Sequence, residues 1–158
     1  MKVTIRNCRE MDIEQVAWIE QNTFSEPWTK EGFLETLAQP HPIFMVAEEN
    51  NVICGYGILY CNSDEGEIPT IAVAPDKRGC GIGKLLLDAM LREADIRGVK
   101  HVYLEVRKGN LAAQKLYEHC GFLCVGMRKN FYQKPVEDAL VMAFHKEHSC
   151  NSEIMPIE

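Results

Sequence analysis

Three glycines and three cations near the middle of the chain have the residue types and spacing of an anion-binding loop. Gly79, Gly81 and Gly83 stand at alternate positions, and each lets the backbone turn tightly and approach a ligand because it has no Cβ. Apolar residues at helical spacing follow from Ile82, which predicts a helix whose free N–H groups and positive dipole end favour a negative charge. The cations are Lys77, Arg78 and Lys84. Cations at that end oppose the helix dipole, so a phosphate ligand would give them a purpose.

Spacing separates the kinds of phosphate loop. In a Walker A loop the lysine stands farther from the first glycine than Lys84 stands from Gly79, and Leu85 offers no hydroxyl for magnesium. A dinucleotide-binding loop needs a glycine where Lys84 stands, although Glu105 lies at about the distance of a ribose-binding acid. A nucleotide-dependent oxidoreductase therefore remains only as an alternative. A plain glycine-rich turn before a core helix explains the glycines but not the cations around them.

The segments around the loop predict one mixed sheet with helices packed on it, an α+β or mixed α/β plan. The predicted strands are residues 3–7, 43–48, 52–60, 67–73, 101–107, 123–125 and 139–144. The predicted helices begin near residues 12, 29, 82 and 110. We expect an acidic loop at 62–67 and an irregular connection at 126–138. Since a helix joins strands 67–73 and 101–107, these strands should be parallel neighbours.

Periodicity alone leaves the roles of the reactive side chains open. Glu105 lies on the face of strand 101–107 opposite its three apolar residues, where an ordinary solvent-facing glutamate fits as well as a catalytic one. Tyr117 lies on the apolar stripe of its helix and fits a core position with its hydroxyl bonded elsewhere. Trp28 follows Pro27 in a connection between helices, where it fits either a lid on the core or the wall of a substrate groove.

The pattern Arg-x-x-Gly-x-Gly, filled by Arg78, Gly81 and Gly83, resembles the pyrophosphate loop of the GCN5-related N-acetyltransferases (GNAT). The resemblance implies the GNAT fold, with a mixed central sheet of about seven strands, four helices and a splayed central strand pair. It also implies acetyl-CoA as co-substrate, seated in the gap between the splayed strands, and no metal. The cofactor-binding residues that it implies are Ile71, Ala72, Val73, Arg78, Gly79, Cys80, Gly81, Ile82, Gly83, Lys84, Asn110 and Tyr117.

Motifs spread over most of the chain narrow the resemblance to the bacterial ribosomal-protein alanine N-acetyltransferases. They include Pro27-Trp28, Leu104-Glu105-Val106-Arg107, Leu116-Tyr117-Glu118 and Asn130-Phe131-Tyr132. The resemblance implies direct transfer of the acetyl group to a protein N-terminal amine, with the N-terminal alanine of a small-subunit ribosomal protein as the expected substrate. Acyl transfer to an amine needs a base, an oxyanion donor and an acid for the thiolate. The resemblance assigns these roles to Glu105, the backbone N–H of Val73 and Tyr117.

The expected peptide groove is bordered by Trp28, Glu65 and Tyr132. Many relatives have two consecutive tyrosines where this chain has Phe131-Tyr132, so one hydroxyl is missing. Two alternatives stay open. A GNAT enzyme of this kind could acetylate another N-terminus, a lysine or a polyamine, and a non-catalytic acyl-CoA-binding module would keep the loop without turnover.

Charge, cysteine content and the length of apolar runs indicate which partners and which compartment to expect. A formal charge of −6 over 158 residues argues against nucleic-acid binding and favours a basic protein partner. The seven cysteines form no C-x-x-C pair, which predicts reduced thiols and a cytoplasmic protein. No apolar run is long enough to span a membrane. We expect one domain over residues 1–146, a polar tail over 147–158 whose His148 and Cys150 form no metal site with His145, and a monomer or weak dimer.

Overall fold

The computed structural model describes residues 2–146, which form seven strands and four helices. The strands are β1 Thr4–Asn7, β2 Ile43–Glu49, β3 Val52–Asn62, β4 Glu65–Val73, β5 His101–Arg107, β6 Leu123–Gln133 and β7 Val136–His145. The helices are α1 Ile13–Gln21, α2 Lys30–Ala38, α3 Ile82–Ile96 and α4 Leu111–His119. The predicted tail at 147–158, with His148 and Cys150, lies outside the described residues.

All seven strands belong to one sheet, in the order β1-β2-β3-β4-β5-β7-β6. Neighbouring strands are antiparallel except β4 and β5, which are parallel and are connected through α3. The predicted mixed sheet of about seven strands with four helices is therefore confirmed. So is the parallel pairing of the central strand with the strand that carries Glu105.

The two faces of the sheet are covered by different helices. On one face α1 and α2 bury Ile13, Val16 and Phe33 against β2, β3 and β4. On the other face α3 packs so closely on β3 that a Cβ added at Gly57 would lie 2.5 Å from Met90 Sδ. Each face therefore has a core of its own, and α3 is fixed against the centre of the sheet, just beyond the glycine loop.

Two predicted loops are strands in the structure. The acidic loop expected at 62–67 is a tight turn in which Ser63 has φ +60°, and Glu65 already pairs with Asn62. The connection expected at 126–138 belongs to the long β6–β7 hairpin, with register shifts between Cys124 and Gly126 and between Arg128 and Tyr132. These shifts interrupt the two-residue alternation, which is the signal that identifies a strand in a sequence.

Candidate active site

The two central strands separate from each other after a short paired segment. β4 and β5 are paired only at Glu65 with His101, Gly66 with Val102 and Glu67 with Tyr103. Beyond these pairs β4 continues to Val73 and β5 continues to Arg107 without pairing to each other. The separation starts at a bulge in β4 opposite Ile58 to Tyr60, where Pro69 has no N–H to donate. A gap therefore opens between the carboxyl ends of the strands, as the resemblance implied.

The wall of the gap formed by β4 presents backbone donors. Ala74 N–H donates to the carbonyl of Cys54 in β3 over 2.8 Å. Because successive N–H groups of a strand point to opposite edges, those of Val73 and Ile71 point away from β3 and into the gap. The side chain of Ala72 is buried against the α1 and α2 core, which fixes the strand from behind.

The glycine loop leads directly into α3 and leaves its N-terminus uncapped. Gly79 and Gly81 have φ +77° and +84°, and no atom lies within 4 Å of where their Cβ atoms would stand. Glycine is needed there for the backbone conformation rather than for space. Gly81 is the N-cap residue, and no side chain of residues 2–146 caps the helix. The carbonyl of Gly81 accepts from Leu85 N–H over 3.2 Å. The N–H groups of Ile82, Gly83 and Lys84 precede that bond and have no acceptor within the helix, which is the arrangement that binds a phosphate.

The three cations near the loop all have protein partners, which changes the role expected for their side chains. Lys77 Nζ lies 2.8 Å from Glu49 Oε1, and Lys84 Nζ lies 2.6 Å from Asp88 Oδ2. Arg78 donates to the carbonyl of Val73 over 3.0 Å and to Thr23 Oγ1 over 2.9 Å. The positive charges at the helix end are thus balanced by carboxylates or directed away from it. The backbone N–H groups, rather than these side chains, are the donors that the loop offers to an anion.

Cys80 lies within the loop and is exposed. Its thiol lies 3.7 Å from the carbonyl of Arg78, a weak contact for sulfur. This contact assigns the thiol no chemistry, and a contact between Cys80 and the cofactor stays a prediction.

Glu105 lies on the β5 side of the gap. Its side chain is 21% exposed, and Oε2 lies 3.4 Å from Arg128 Nη1 on β6. The apolar residues of β5 are buried on the other face of the strand, as the alternation predicted. The carboxylate is thus held by one long ion pair and is accessible from the solvent, which suits a group that has to accept a proton.

Tyr117 is buried in the core but its hydroxyl has no hydrogen-bond partner among residues 2–146. The side chain is 7% exposed, and its ring centroid lies 5.9 Å from that of Phe122. Burial raises the pKa of the Tyr117 hydroxyl above its usual range, and the nearby Tyr132 adds to the effect. A core tyrosine normally satisfies its hydroxyl. The unpartnered hydroxyl of Tyr117 is therefore suited to a ligand rather than to packing.

Asn110 caps α4 and keeps a free donor. Its Oδ1 accepts from Ala113 N–H over 3.1 Å, and its side-chain NH₂ has no partner in the described part of the chain. Capping and a contact to the cofactor are therefore compatible, as the sequence suggested.

Arg107 connects the two segments that border the open side of the gap. We call residues 22–29, between α1 and α2, the first rim, and residues 132–137, the tip of the β6–β7 hairpin, the second rim. Arg107 donates to Ser25 Oγ over 3.1 Å in the first rim. In the second rim it donates to Glu137 Oε1 over 3.0 Å and lies 4.3 Å from the centre of the Tyr132 ring. A further bond joins Gln133 N–H to Glu26 Oε1 over 3.3 Å. The rims therefore meet above the carboxyl end of β5.

Arg107 and Glu26 were not predicted as site residues. Alternation does place Arg107 on the same face as Glu105, two positions farther along β5. Its partners, however, belong to segments 82 residues before it and 27 to 30 residues after it. Only the folded chain brings these groups together.

The three residues predicted to bind the peptide lie in different places. Tyr132 is in the second rim, and burial raises its pKa to about 12, with Glu105 adding to the effect. Trp28 is in the first rim and packs on Phe33 with ring centroids 5.3 Å apart, so it also belongs to the core. Glu65 is at the opposite end of the sheet, where it is paired with His101. His101 precedes Glu105 by four residues of β5, or roughly 13 Å. The geometry supports a groove near Tyr132 and Trp28 but does not bring Glu65 to it.

Comparison with known proteins agrees with this arrangement. A family model described as "Acetyltransferase (GNAT) family" matches residues 13–122. The chain belongs to the GNAT acetyltransferase family. The match includes β4, the glycine loop and α3, β5 and α4, so it contains both strands that border the gap. This GNAT protein is thus an acyltransferase, and acetyl-CoA is its acetyl donor.

Relatives of this GNAT protein cover nearly the whole chain. The [ribosomal protein bS18]-alanine N-acetyltransferase of Haemophilus influenzae is 39% identical over 84% of this chain and 91% of its own length. The crystal structure of the Escherichia coli ribosomal-protein-S18-alanine N-acetyltransferase has a TM-score of 0.84 and 32% identity, covering 91% of this chain and 94% of that one. Ard1 from Thermoplasma volcanium also has a TM-score of 0.84, at 29% identity, over 92% of this chain and 98% of its own. The predicted family and its narrower resemblance are confirmed.

Two observations concern only the described residues. Residues 2–146 contain no cluster of three or more histidine, cysteine or carboxylate side chains arranged to hold a metal ion. No helix in this part of the chain is both long and apolar enough to cross a membrane.

Proposed function

We propose that this enzyme acetylates the α-amino group of a protein N-terminus, and that its substrate is the N-terminal alanine of a small-subunit ribosomal protein. The relatives named for that reaction support the substrate class. A ribosomal protein is basic, and its attraction to a chain with formal charge −6 adds support. Such a substrate places the reaction in the cytoplasm.

The meeting of the two rims is the observation that carries the choice of amine. When a peptide places its N-terminus in a groove, the rest of the peptide extends from the groove in one direction only. An internal lysine requires the polypeptide to run past the mouth of the groove in both directions. The bonds from Arg107 to Ser25 and Glu137, together with the bond from Gln133 to Glu26, close one of these directions. The groove is therefore better suited to an N-terminal amine than to a lysine within a chain.

The proposed reaction is direct transfer in a complex that holds both substrates. Glu105 accepts a proton from the α-ammonium group, directly or through a water molecule, because only the neutral amine attacks a thioester. The amine nitrogen then forms a bond to the acetyl carbonyl carbon, and the N–H of Val73 donates to the oxyanion. As the carbon–sulfur bond breaks, the Tyr117 hydroxyl gives its proton to the thiolate of coenzyme A as the acid. The phenolate left on Tyr117 takes the second proton from the nitrogen, directly or through a water molecule, which leaves a neutral amide. Since burial raises the pKa of Tyr117, the hydroxyl is protonated at neutral pH and can serve as this acid.

A non-catalytic acyl-CoA-binding module would need neither of these side chains near the gap. The hydroxyl of Tyr117, which has no hydrogen-bond partner among residues 2–146, and the accessible carboxylate of Glu105 both favour turnover. An enzyme acting on polyamines would also use them, and it differs only in its acceptor.

The test is thiol release from acetyl-CoA with peptides that begin Ala-Arg, with Nα-blocked peptides that contain a lysine, and with polyamines. We expect turnover only with free N-termini, and mass spectrometry should locate the acetyl group on the α-nitrogen. Glu105→Gln should lower kcat/KM about 10²-fold or more because it removes the base. Glu118→Gln, an exposed site on α4, is the matched control and should keep full activity. Turnover of polyamines or blocked peptides alone would disprove the proposed acceptor.

A further inference from the structure

A buried carboxyl group connects the first rim to the central strand. Glu20, near the end of α1, is 2% exposed. Its Oε1 accepts from Thr70 Oγ1 on β4 over 2.7 Å and from the hydroxyl of Tyr56 on β3. Its Oε2 accepts from the backbone N–H of Trp28 in the first rim over 3.0 Å. One side chain thus joins α1, two strands of the sheet and the rim.

The chemistry of this contact set is unusual for a core position. A carboxyl group is costly to bury, and the cost is offset only when its oxygens are hydrogen-bonded. Glu20 makes no ion pair within residues 2–146, so its three hydrogen bonds have to stabilise it. Apolar residues of similar size fill a core at lower cost. The position is therefore best explained by what Glu20 connects rather than by the packing it provides.

The hydrogen-bond partners of Glu20 lie near the two substrate sites. Thr70 lies three residues before Val73, whose N–H points into the gap. Trp28 lies in the first rim, three residues after Ser25, which accepts from Arg107. Glu20 therefore sets the distance between the rim that borders the peptide groove and the strand that borders the acetyl group.

We infer that Glu20 is a positioning residue for the peptide: it holds the first rim at a fixed place over β4 through Trp28 N–H. This inference rests on the proposed function, since it requires a peptide in the groove between the rims. It assigns Glu20 no contact with either substrate.

Glu20→Gln is the sharpest test, because an amide has one acceptor oxygen for three donors. The hydroxyls of Tyr56 and Thr70 can rotate to accept from the amide NH₂, but the backbone N–H of Trp28 can only donate. The bond that holds the rim becomes a neutral one or is lost. We expect the KM for an Ala-Arg peptide to rise about fivefold or more, since a hydrogen bond to a charged group is the stronger kind. The KM for acetyl-CoA should change less than about twofold.

Asp12→Asn provides the matched control. Asp12 is also a buried acid at α1, 3% exposed, but it binds Arg6 and the N–H of Arg9 at the other end of the helix. We expect it to lower stability and leave both KM values unchanged. A rise in the peptide KM of equal size in both variants would mean that Glu20 acts only through stability and would overturn the inference. So would an unchanged peptide KM in Glu20→Gln.

Amide hydrogen exchange at Trp28 keeps the two proposals separable. We expect faster exchange of the Trp28 N–H in Glu20→Gln than in the native protein, and no change in Asp12→Asn. If the native enzyme fails to acetylate peptide N-termini, the proposed function fails, and the role of Glu20 in holding the rim is judged by the exchange result alone. Unchanged exchange at Trp28 in Glu20→Gln rejects that role, whatever the substrate.

Discussion

At the scale of single residues, two buried tyrosines show how the side chain that we propose to be catalytic differs from a structural one. Tyr56 donates to Glu20 and lies 3.3 Å from Thr70 Oγ1, so its hydroxyl is satisfied within the protein. Tyr117 is nearly as well buried, and its hydroxyl has no partner among the described residues. Burial raises the pKa of both hydroxyls. The two tyrosines differ because the hydroxyl of Tyr56 donates to Glu20, whereas no group among residues 2–146 accepts from the hydroxyl of Tyr117.

Tyr117→Phe should therefore lower kcat about 10²-fold, because the leaving thiolate loses its acid. The dissociation constant for acetyl-CoA should change little, and thermal stability should be kept because no protein hydrogen bond is lost. Tyr56→Phe is the contrasting variant and should lose about 1 kcal/mol of stability with a much smaller loss of kcat. Steady-state kinetics and thermal melts measure both effects. Full activity in Tyr117→Phe would remove the residue from the mechanism.

The pattern of residues in the sequence could not make this distinction. Tyr117 lies on an apolar stripe and Glu105 on an ordinary alternating strand, so periodicity fits a structural role for each. The motif around them indicated the catalytic role, and the unpartnered hydroxyl supports it for Tyr117. Arg107 was beyond sequence reasoning, because its partners come from both sides of the chain and meet only when the hairpin folds back.

At the scale of elements, the entry into α3 offers backbone N–H groups to the proposed anion. The glycine spacing and the start of the helix were predicted correctly from the sequence, since φ values above zero and apolar spacing leave clear signals there. The ion pairs of Lys77 and Lys84 were not predicted, because their carboxylate partners lie on β2 and one turn into the helix.

Gly81→Ala should weaken acetyl-CoA binding, since a side chain at φ +84° strains the turn that presents the N–H groups. Gly98→Ala is an internal control: Gly98 also has φ +84°, also has open space around its Cβ position, and lies just past the other end of α3. Both variants should lose about 1 kcal/mol of stability. Only Gly81→Ala should raise the acetyl-CoA dissociation constant, measured by calorimetry. An equal change in both would mean that the loop binds through general stability.

The two rims are joined by Arg107, so Arg107→Gln should loosen the groove. The variant loses the charge-assisted bond to Glu137 and the stacking on Tyr132. We expect activity on N-terminal alanine peptides to fall about tenfold and the ratio of lysine to N-terminal acetylation to rise. Mass spectrometry of a peptide that offers both amines gives the ratio directly. Arg97→Gln removes bonds to Glu93 and to the carbonyl of His41, which lie outside both rims, and should leave the ratio unchanged.

At the scale of the whole molecule, the ion pairs of the described residues differ in how far they are exposed to solvent. The side chain of Asp12 is 4% exposed and accepts two bonds from Arg6, whereas the side chain of Glu14 is 77% exposed and pairs with Lys30. The guanidinium of Arg6 lowers the pKa of Asp12 below its usual value. The buried pair should count toward the free energy of unfolding far more than the exposed one.

Asp12→Asn should therefore lower the free energy of unfolding by about 2 kcal/mol at neutral pH. Because the pKa of Asp12 is lower in the folded state, its contribution is complete above the unfolded value near ~4 and is lost as the pH falls through the folded value. Denaturation at several pH values should show the native protein and the variant converging in acid. Glu14→Gln should leave the free energy of unfolding nearly unchanged at every pH, because its ion pair with Lys30 is exposed to solvent.

The short pairing of β4 with β5 also affects how the molecule responds to its own ligand. Three register pairs are all that join β1–β4 to β5–β7 within the sheet, and the rest of that seam is open. A pantetheine arm lying along β4 would use the N–H groups that a neighbouring strand otherwise takes, and the cofactor would then extend the hydrogen bonding of β4 across the gap. Cofactor binding and the cooperativity of folding would then both depend on the boundary between β4 and β5. The free energy of acetyl-CoA binding at this boundary would also stabilise the protein against separation of strands β1–β4 from strands β5–β7.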